Sequence, residues 1–300
     1  MKRQYPIHTI SPVLGKEAGV FAFHLDHLLP ELDGTEYEFE ALEVFQARPF
    51  HEMNRVYWTE ILYRSHWAAA SAMVRLHRWL SGFNSAHGQT NLLAAAACAR
   101  GMIEAAADAD YSLHMVPATL TRDHVHLKAA LEGNLLPPWT NPELEERLIH
   151  FSHARKPQRG EKLPSSHKAK YVAQYRERLD KVQPKLSECY GMLCDLTHPG
   201  ASSVLSFAES MTPDASVVRF SPDAEVTGLE QLTSMIREVV ADVLMLGLNP
   251  ALVTLKVLND FPVQRLHTTA MNEVDLTDIP MWTKARALLD QASPPLTFNH

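Results

Sequence analysis

The chain has 300 residues, 46% of them apolar and 21% charged, with a formal net charge of −7 at pH 7. These proportions fit a globular protein that buries a substantial core without staples, in one large domain or two small ones. Three cysteines, Cys98, Cys189 and Cys194, exclude a disulfide framework and fit a reducing compartment.

The opening MKRQYPIHTISPVLGKEAGVF is basic but has no apolar h-region, so no signal peptide is read. The longest apolar runs, NLLAAAACA and VLMLGL, are too short to span a bilayer. A cytoplasmic location without membrane attachment is expected. Residues 1–53 read as a helical or irregular N-terminal segment.

Residues 54–80 place Ile61, Leu62, Ser65, Ala68, Ala69, Ala72, Leu76 and Trp79 on one stripe, with Glu60, Arg64, Ser71, Arg75 and Arg78 opposite. That spacing predicts an amphipathic helix, ended by Gly82 and Asn84. A second helix over 90–114, capped by Thr90 or Asn91, is alanine-rich and nearly apolar all round its first half, as suits the centre of a bundle. Helices are predicted over 118–133 and 141–154, the latter with Pro142 at its first position. The stretch RKPQRGEKLPSSH, 155–167, is a loop, followed by a basic helix over 168–182 and another over 184–198. Partial alternation in SSVLSFAES and ASVVRFS predicts a small β-hairpin after Gly200. A helix over 226–248 is broken by Asn249-Pro250, which starts another, and the tail SPPLTFNH is read as loose. Trp58, Trp67 and Trp79 are read as core and interface anchors. The predicted fold class is mainly α. Residues 54–200 form a helical bundle core, and 201–300 form a C-terminal extension, hairpin plus helices, packed on it.

On the second helix Arg100, Glu104 and Asp108 are spaced by four, and Tyr111 follows at three. Charges on such an apolar helix require partners. Helix 184–198 offers them: Ser187, Tyr190, Cys194 and His198 lie near one face, with Asp195 beside them. The two stripes are expected to meet, Arg100 and Glu104 facing Tyr190 and His198. A Glu104–His198 pair can do acid–base work or lock two helices in register. A Cys194–His198 dyad is the weaker alternative.

Charge is unevenly spread. Residues 155–185 hold ten Lys/Arg against three acids, a local +7 that leaves −14 on the rest. Arg155, Lys156, Arg159, Lys162, Lys168, Lys170, Arg176 and Arg178 form a candidate nucleic-acid patch, or a solvated face. Ligand-like spacings occur in HLDH (His24, Asp26, His27), DHVH (Asp123, His124, His126) and HFSH (His150, His153), without any HExxH or His/Cys cluster of structural-zinc spacing. No Gly-rich phosphate loop and no GxSxG elbow occurs, and no cofactor or metal is implied.

RGMIEAAADADYSL (100–113) followed, after a basic stretch, by YGMLCDLTHPG (190–200) resembles bacterial members of the HEPN-like superfamily, α-helical bundles of toxin–antitoxin and phage-defence settings. The resemblance spans roughly 54–200 and implies Arg100 and Glu104 on one core helix, with Tyr190 and His198 on the last. Ribonuclease members carry Arg, four to six residues, then His on one helix. Ahead of His198 those Arg positions hold Gly191, Met192 and Leu193. Arg3 with His8 and Arg147 with His153 have such a spacing, as chance supplies among 17 Arg and 16 His. The resemblance therefore implies a non-catalytic module binding RNA, a nucleotide or a protein partner, and by analogy a homodimer. The alternatives are a hydrolase or ribonuclease using Glu104 and His198, and a metal-dependent hydrolase using the His pairs.

Overall fold

The structure is a computed structural model that describes residues 10–292. The Arg3–His8 spacing and the tail read as loose lie outside the described residues. The fold is mainly α with one small hairpin. In chain order the α-helices are α1 (Ile10–Leu14), α2 (Lys16–Leu32), α3 (Leu42–Gln46), α4 (Phe50–Gly88), α5 (Leu92–Leu113), α6 (Val116–Arg122) and α7 (His124–Leu131). They continue as α8 (Pro142–His153), α9 (Val172–Val182), α10 (Leu186–Thr197), α11 (Ala201–Leu205), α12 (Glu225–Leu258) and α13 (Pro280–Ala292). Strands β1 (Ala208–Ser210) and β2 (Val218–Phe220) pair antiparallel, Ala208 opposite Phe220.

Two helix breaks expected from the sequence do not occur, for one reason. α4 runs through Gly82 and Asn84 because its apolar stripe continues: Leu80 and Phe83 are fully buried and Ala86 is buried. α12 runs through Asn249-Pro250 as one helix. Pro250 removes one backbone hydrogen bond, but Leu248, Ala251, Val253, Leu255 and Leu258 around it are all buried. Burial on both sides of the proline outweighs the lost bond. Residues 118–133 form two short helices rather than one, and Ala201–Leu205 is helical where a strand was expected. Among the described residues, the segment from Pro222 to Leu258 is the one long and apolar enough to cross a membrane, and 72% of its most apolar stretch is buried inside the protein.

The chain divides into two compact units. Among the described residues, the first comprises 10–27, Met73–Asp108 and Val172–Gly247, and the second Leu28–Ala72, Ala109–Tyr171 and 248–292. In the first unit, α5 is central, and Ala95, Ala96, Ala99, Ala105, Ala106 and Ala107 are buried on it. Small residues let its neighbours come close. A Cβ on Gly101 of α5 would strike the Trp79 ring of α4 at 2.6 Å, and one on Gly82 would meet the Cys98 sulfur at 2.8 Å. A Cβ on Gly247 of α12 would stand 2.8 Å from both the Cα and Cβ of Ala106. Backbone cannot swing aside as a side-chain tip can. Gly247→Ala gains about 1 kcal/mol of helix propensity but overpacks the contact by about 1–3 kcal/mol. A net loss of up to about 2 kcal/mol in urea unfolding is expected.

In the second unit α13 packs on α6 and α7. The N-terminal half of α4 supplies its centre, with Trp58, Ile61 and Leu62 buried. Of the eight residues predicted on the α4 stripe, Trp79 alone is not buried, at 39% exposure. Trp67 is 40% exposed, so of the three tryptophans only Trp58 is a core anchor.

Candidate functional site

Asn91 starts α5, its Oδ1 accepting from the Ala94 N–H at 2.9 Å. From that start the i,i+4 spacing places Arg100 and Glu104 one turn apart on a helix otherwise filled with alanine. Their partners come from α10. Glu104 Oε1 accepts from Arg100 Nε at 2.9 Å and from the Tyr190 hydroxyl at 2.5 Å. Arg100 Nη1 reaches Thr197 Oγ1 at 3.1 Å and His198 Nε2 at 3.2 Å. His198 is the C-cap of α10, held extended by the proline after it, at φ −92° and ψ 151°.

A guanidinium only donates hydrogen bonds, so the Nε2 lone pair of His198 is the acceptor and Nδ1 carries the ring proton. The Tyr190 pKa is pushed up to about 12, first by burial and then by its hydrogen bond to the Glu104 carboxylate, against the pull of Arg100. The phenol therefore stays a donor at neutral pH. Burial works against the Arg100 charge, but the hydrogen bonds to Glu104 and Tyr190 outweigh it and raise its pKa. The cluster is open to solvent: the Arg100 and Glu104 side chains are 26% and 34% exposed, and His198 is exposed.

Arg176, read from the sequence as a surface cation, is buried in this cluster. Its guanidinium lies 4.0 Å from the Tyr190 ring centroid and donates to Asp180 and Ser187. No spacing signals this, because Arg178 and Lys181 of the same helix are exposed and nothing in the sequence sets Arg176 apart from them. Thr197 is a second contributor that no sequence motif picked out.

The rest of the α5 stripe separates. Asp108 pairs with Arg75 of α4 at 2.5 Å. Tyr111 belongs to the second unit, where its hydroxyl accepts from Lys170 Nζ and its ring lies edge-on to His150 at 5.8 Å. Asp195 is exposed on α10. His198 Nε2 is engaged by Arg100 rather than by Cys194, which is half-buried.

The His pairs have their own partners. Phe23 packs against both His24 and His27, His124 bonds to Asp260, and His126 lies against Trp139. His150 bonds the Ser166 carbonyl and His153 meets His167 edge-on at 5.3 Å. Arg147 and His153 share α8, where Arg147 pairs with Glu143. Among the described residues, no group of three His, Cys, Asp or Glu side chains is placed to hold a metal ion.

The cations of 155–185 sort into two kinds. Arg155 pairs with Glu161, Arg176 with Asp180, Lys181 with Glu177 and Lys185 with Glu238. Lys156, Arg159, Lys162 and Lys168 are exposed and form no ion pair among the described residues. Arg178 is exposed on α9.

No protein-family model, no curated protein and no solved structure matches this chain.

Proposed function

We propose that this chain is a non-catalytic, HEPN-like helical module that binds RNA or another phosphate-bearing partner through Arg100 and His198. The observation that carries this reading is how the cluster's valences are used. His198 Nε2, the nitrogen a general base needs, is occupied by Arg100, and Glu104 Oε1 is doubly occupied by Arg100 and Tyr190. The Arg100 side chain, by contrast, is 26% exposed to solvent, and its guanidinium is held in place by Glu104, Thr197 and His198. A fixed, solvent-reached guanidinium beside an imidazole N–H suits a phosphate oxygen. A cytoplasmic setting in phage defence or a toxin–antitoxin pair, and pairing into a homodimer, belong to the same proposal.

The test is fluorescence anisotropy with a labelled single-stranded RNA, and with nucleotides as competitors, while cleavage is followed on gels. Loss of a charge-assisted hydrogen bond is worth about 1.5–3 kcal/mol, so Arg100→Ala is expected to weaken binding about tenfold or more. Wild-type affinity in a folded Arg100→Ala variant would sink the proposal. Cleavage abolished by both His198→Ala and Glu104→Gln would favour the hydrolase alternative, in which His198 is released from Arg100 on substrate binding.

A further inference from the structure

The excursion between α8 and α9 is built around one residue. The Arg155 N–H donates to the His167 carbonyl at 2.9 Å, and its own carbonyl accepts from Ala169 N–H at 3.0 Å, bridging the two ends of the loop. Its guanidinium grips both Glu161 oxygens, at 2.8 and 2.5 Å. Glu161 in turn accepts from the Gln158 N–H at 2.9 Å, across a turn that Gly160 makes at φ +82°. The Arg155 hydrogen bonds hold the Glu161 carboxyl down at about 2, so the pair stays ionised and closed. Pro157 and Pro164 further limit the open states of the loop.

This clamp has an electrostatic consequence. It uses up the loop's one acid internally, leaving Lys156, Arg159, Lys162 and Lys168 exposed with no carboxylate paired to them among the described residues. Tyr171, three residues past Lys168, is 84% exposed. A largely exposed tyrosine three residues from an exposed lysine, next to a loop of exposed cations, is a combination that can hold an unpaired strand, phosphates on the cations and a base on the ring. A bilayer would need apolar residues to insert, and the loop from 156 to 168 offers only Leu163 and its prolines. An acidic peptide would use the cations but has no need of the exposed ring.

We propose that this clamped loop is a docking strip for a single-stranded nucleic acid, with Lys156, Arg159, Lys162 and Lys168 meeting phosphates and Tyr171 stacking a base. It deepens the reading that the chain binds such a partner, but uses residues other than Arg100 and His198.

The experiment is anisotropy with labelled rU12 and dT12 across a range of NaCl concentrations, on the full chain. The K156Q/R159Q/K162Q/K168Q variant is expected to lower the log–log salt slope by about 2.8, from 0.7 per phosphate contact on a single strand. Tyr171→Ala is expected to weaken binding about tenfold at every salt concentration, with the slope unchanged. Preference for rU12 or for dT12 identifies the source of the strand, and either supports the strip. An unchanged slope in the quadruple variant overturns it, as does displacement of rU12 by a glutamate dodecamer at equal concentration. Arg100→Ala, run in parallel, separates the two sites. If only Arg100→Ala weakens binding, the strip falls and the Arg100 reading stands; if only the quadruple variant does, the reverse holds. Binding of neither oligonucleotide overturns the strip, and absence of nucleotide binding as well overturns the Arg100 reading.

Discussion

Asn54→Ala is expected to destabilise the protein by about 2–4 kcal/mol, because one side chain closes three backbone hydrogen bonds. Asn54 is 4% exposed on α4. Its Nδ2 donates to the carbonyls of Leu135 and Pro137, both at 2.8 Å, and its Oδ1 accepts from the Trp139 N–H at 3.0 Å. The segment it holds is also pinned by its neighbours. Trp58 Nε1 donates to the Trp139 carbonyl at 3.1 Å, with the two rings 4.3 Å apart, and the Tyr57 hydroxyl accepts from the Asn141 N–H. Truncation leaves the Trp139 N–H without its acceptor, while the exposed Pro137 carbonyl can turn to water, so the total stays below three full penalties. Asn54→Asp should cost more than Asn54→Ala, since a carboxylate would face two carbonyl oxygens with nothing to donate. Urea unfolding gives both values, and hydrogen exchange at the Trp139 amide locates the damage. A loss under 1 kcal/mol, with Trp139 still protected, would show that the segment holds itself.

Asn54 was invisible in the sequence, and the reason is instructive. A lone asparagine within a helical pattern has no period and no motif, and its partners lie more than 80 residues away. What periodicity does encode is the face of a helix. The α4 stripe, the alanine face of α5 and the cap at Asn91 were legible for that reason. The spacing of Arg100 and Glu104 was legible too, as was the demand that something polar face them, because unpaired charges on an alanine helix are costly. Which neighbour answers was legible only in part. Tyr190 and His198 meet Glu104 and Arg100, yet Asp108 turns to Arg75 on a different helix, a choice made by interhelical packing. The helix ends were misread at Gly82 and at Asn249-Pro250, where local breaker signals yield to burial on both sides. Charge counting likewise could not separate Arg176, buried against Tyr190, from the exposed cations of the loop before it.

The second large effect is a loss of stability in mild acid, traced to His66. This imidazole is 1% exposed in the second unit, and its Nδ1 meets the Tyr37 hydroxyl at 2.7 Å. Burial drives its pKa down from 6.5 to about 4, and burial raises that of Tyr37 to about 12, so the pair is held neutral, with the phenol donating to Nδ1. Between those two His66 values the unfolded chain binds a proton that the folded chain does not, so stability rises with pH across that window. The stabilisation is complete above the unfolded value of 6.5 and is lost as pH falls toward about 4. At about 1.4 kcal/mol per unit of pKa difference, the loss is roughly 3 kcal/mol. Glu60 works in the opposite sense, since burial raises its pKa and the folded state then binds the extra proton. The measurement that isolates His66 is therefore a difference: urea unfolding of wild type and His66→Asn at pH 7, 6, 5 and 4. Asn keeps an acceptor for Tyr37 but cannot titrate. The wild type is expected to lose roughly 3 kcal/mol relative to the variant over that range, most of it between pH 6 and 4.5. Parallel curves would mean that His66 takes up its proton at the same pH folded and unfolded, and that a charge is tolerated beside Tyr37 where burial argues it is not.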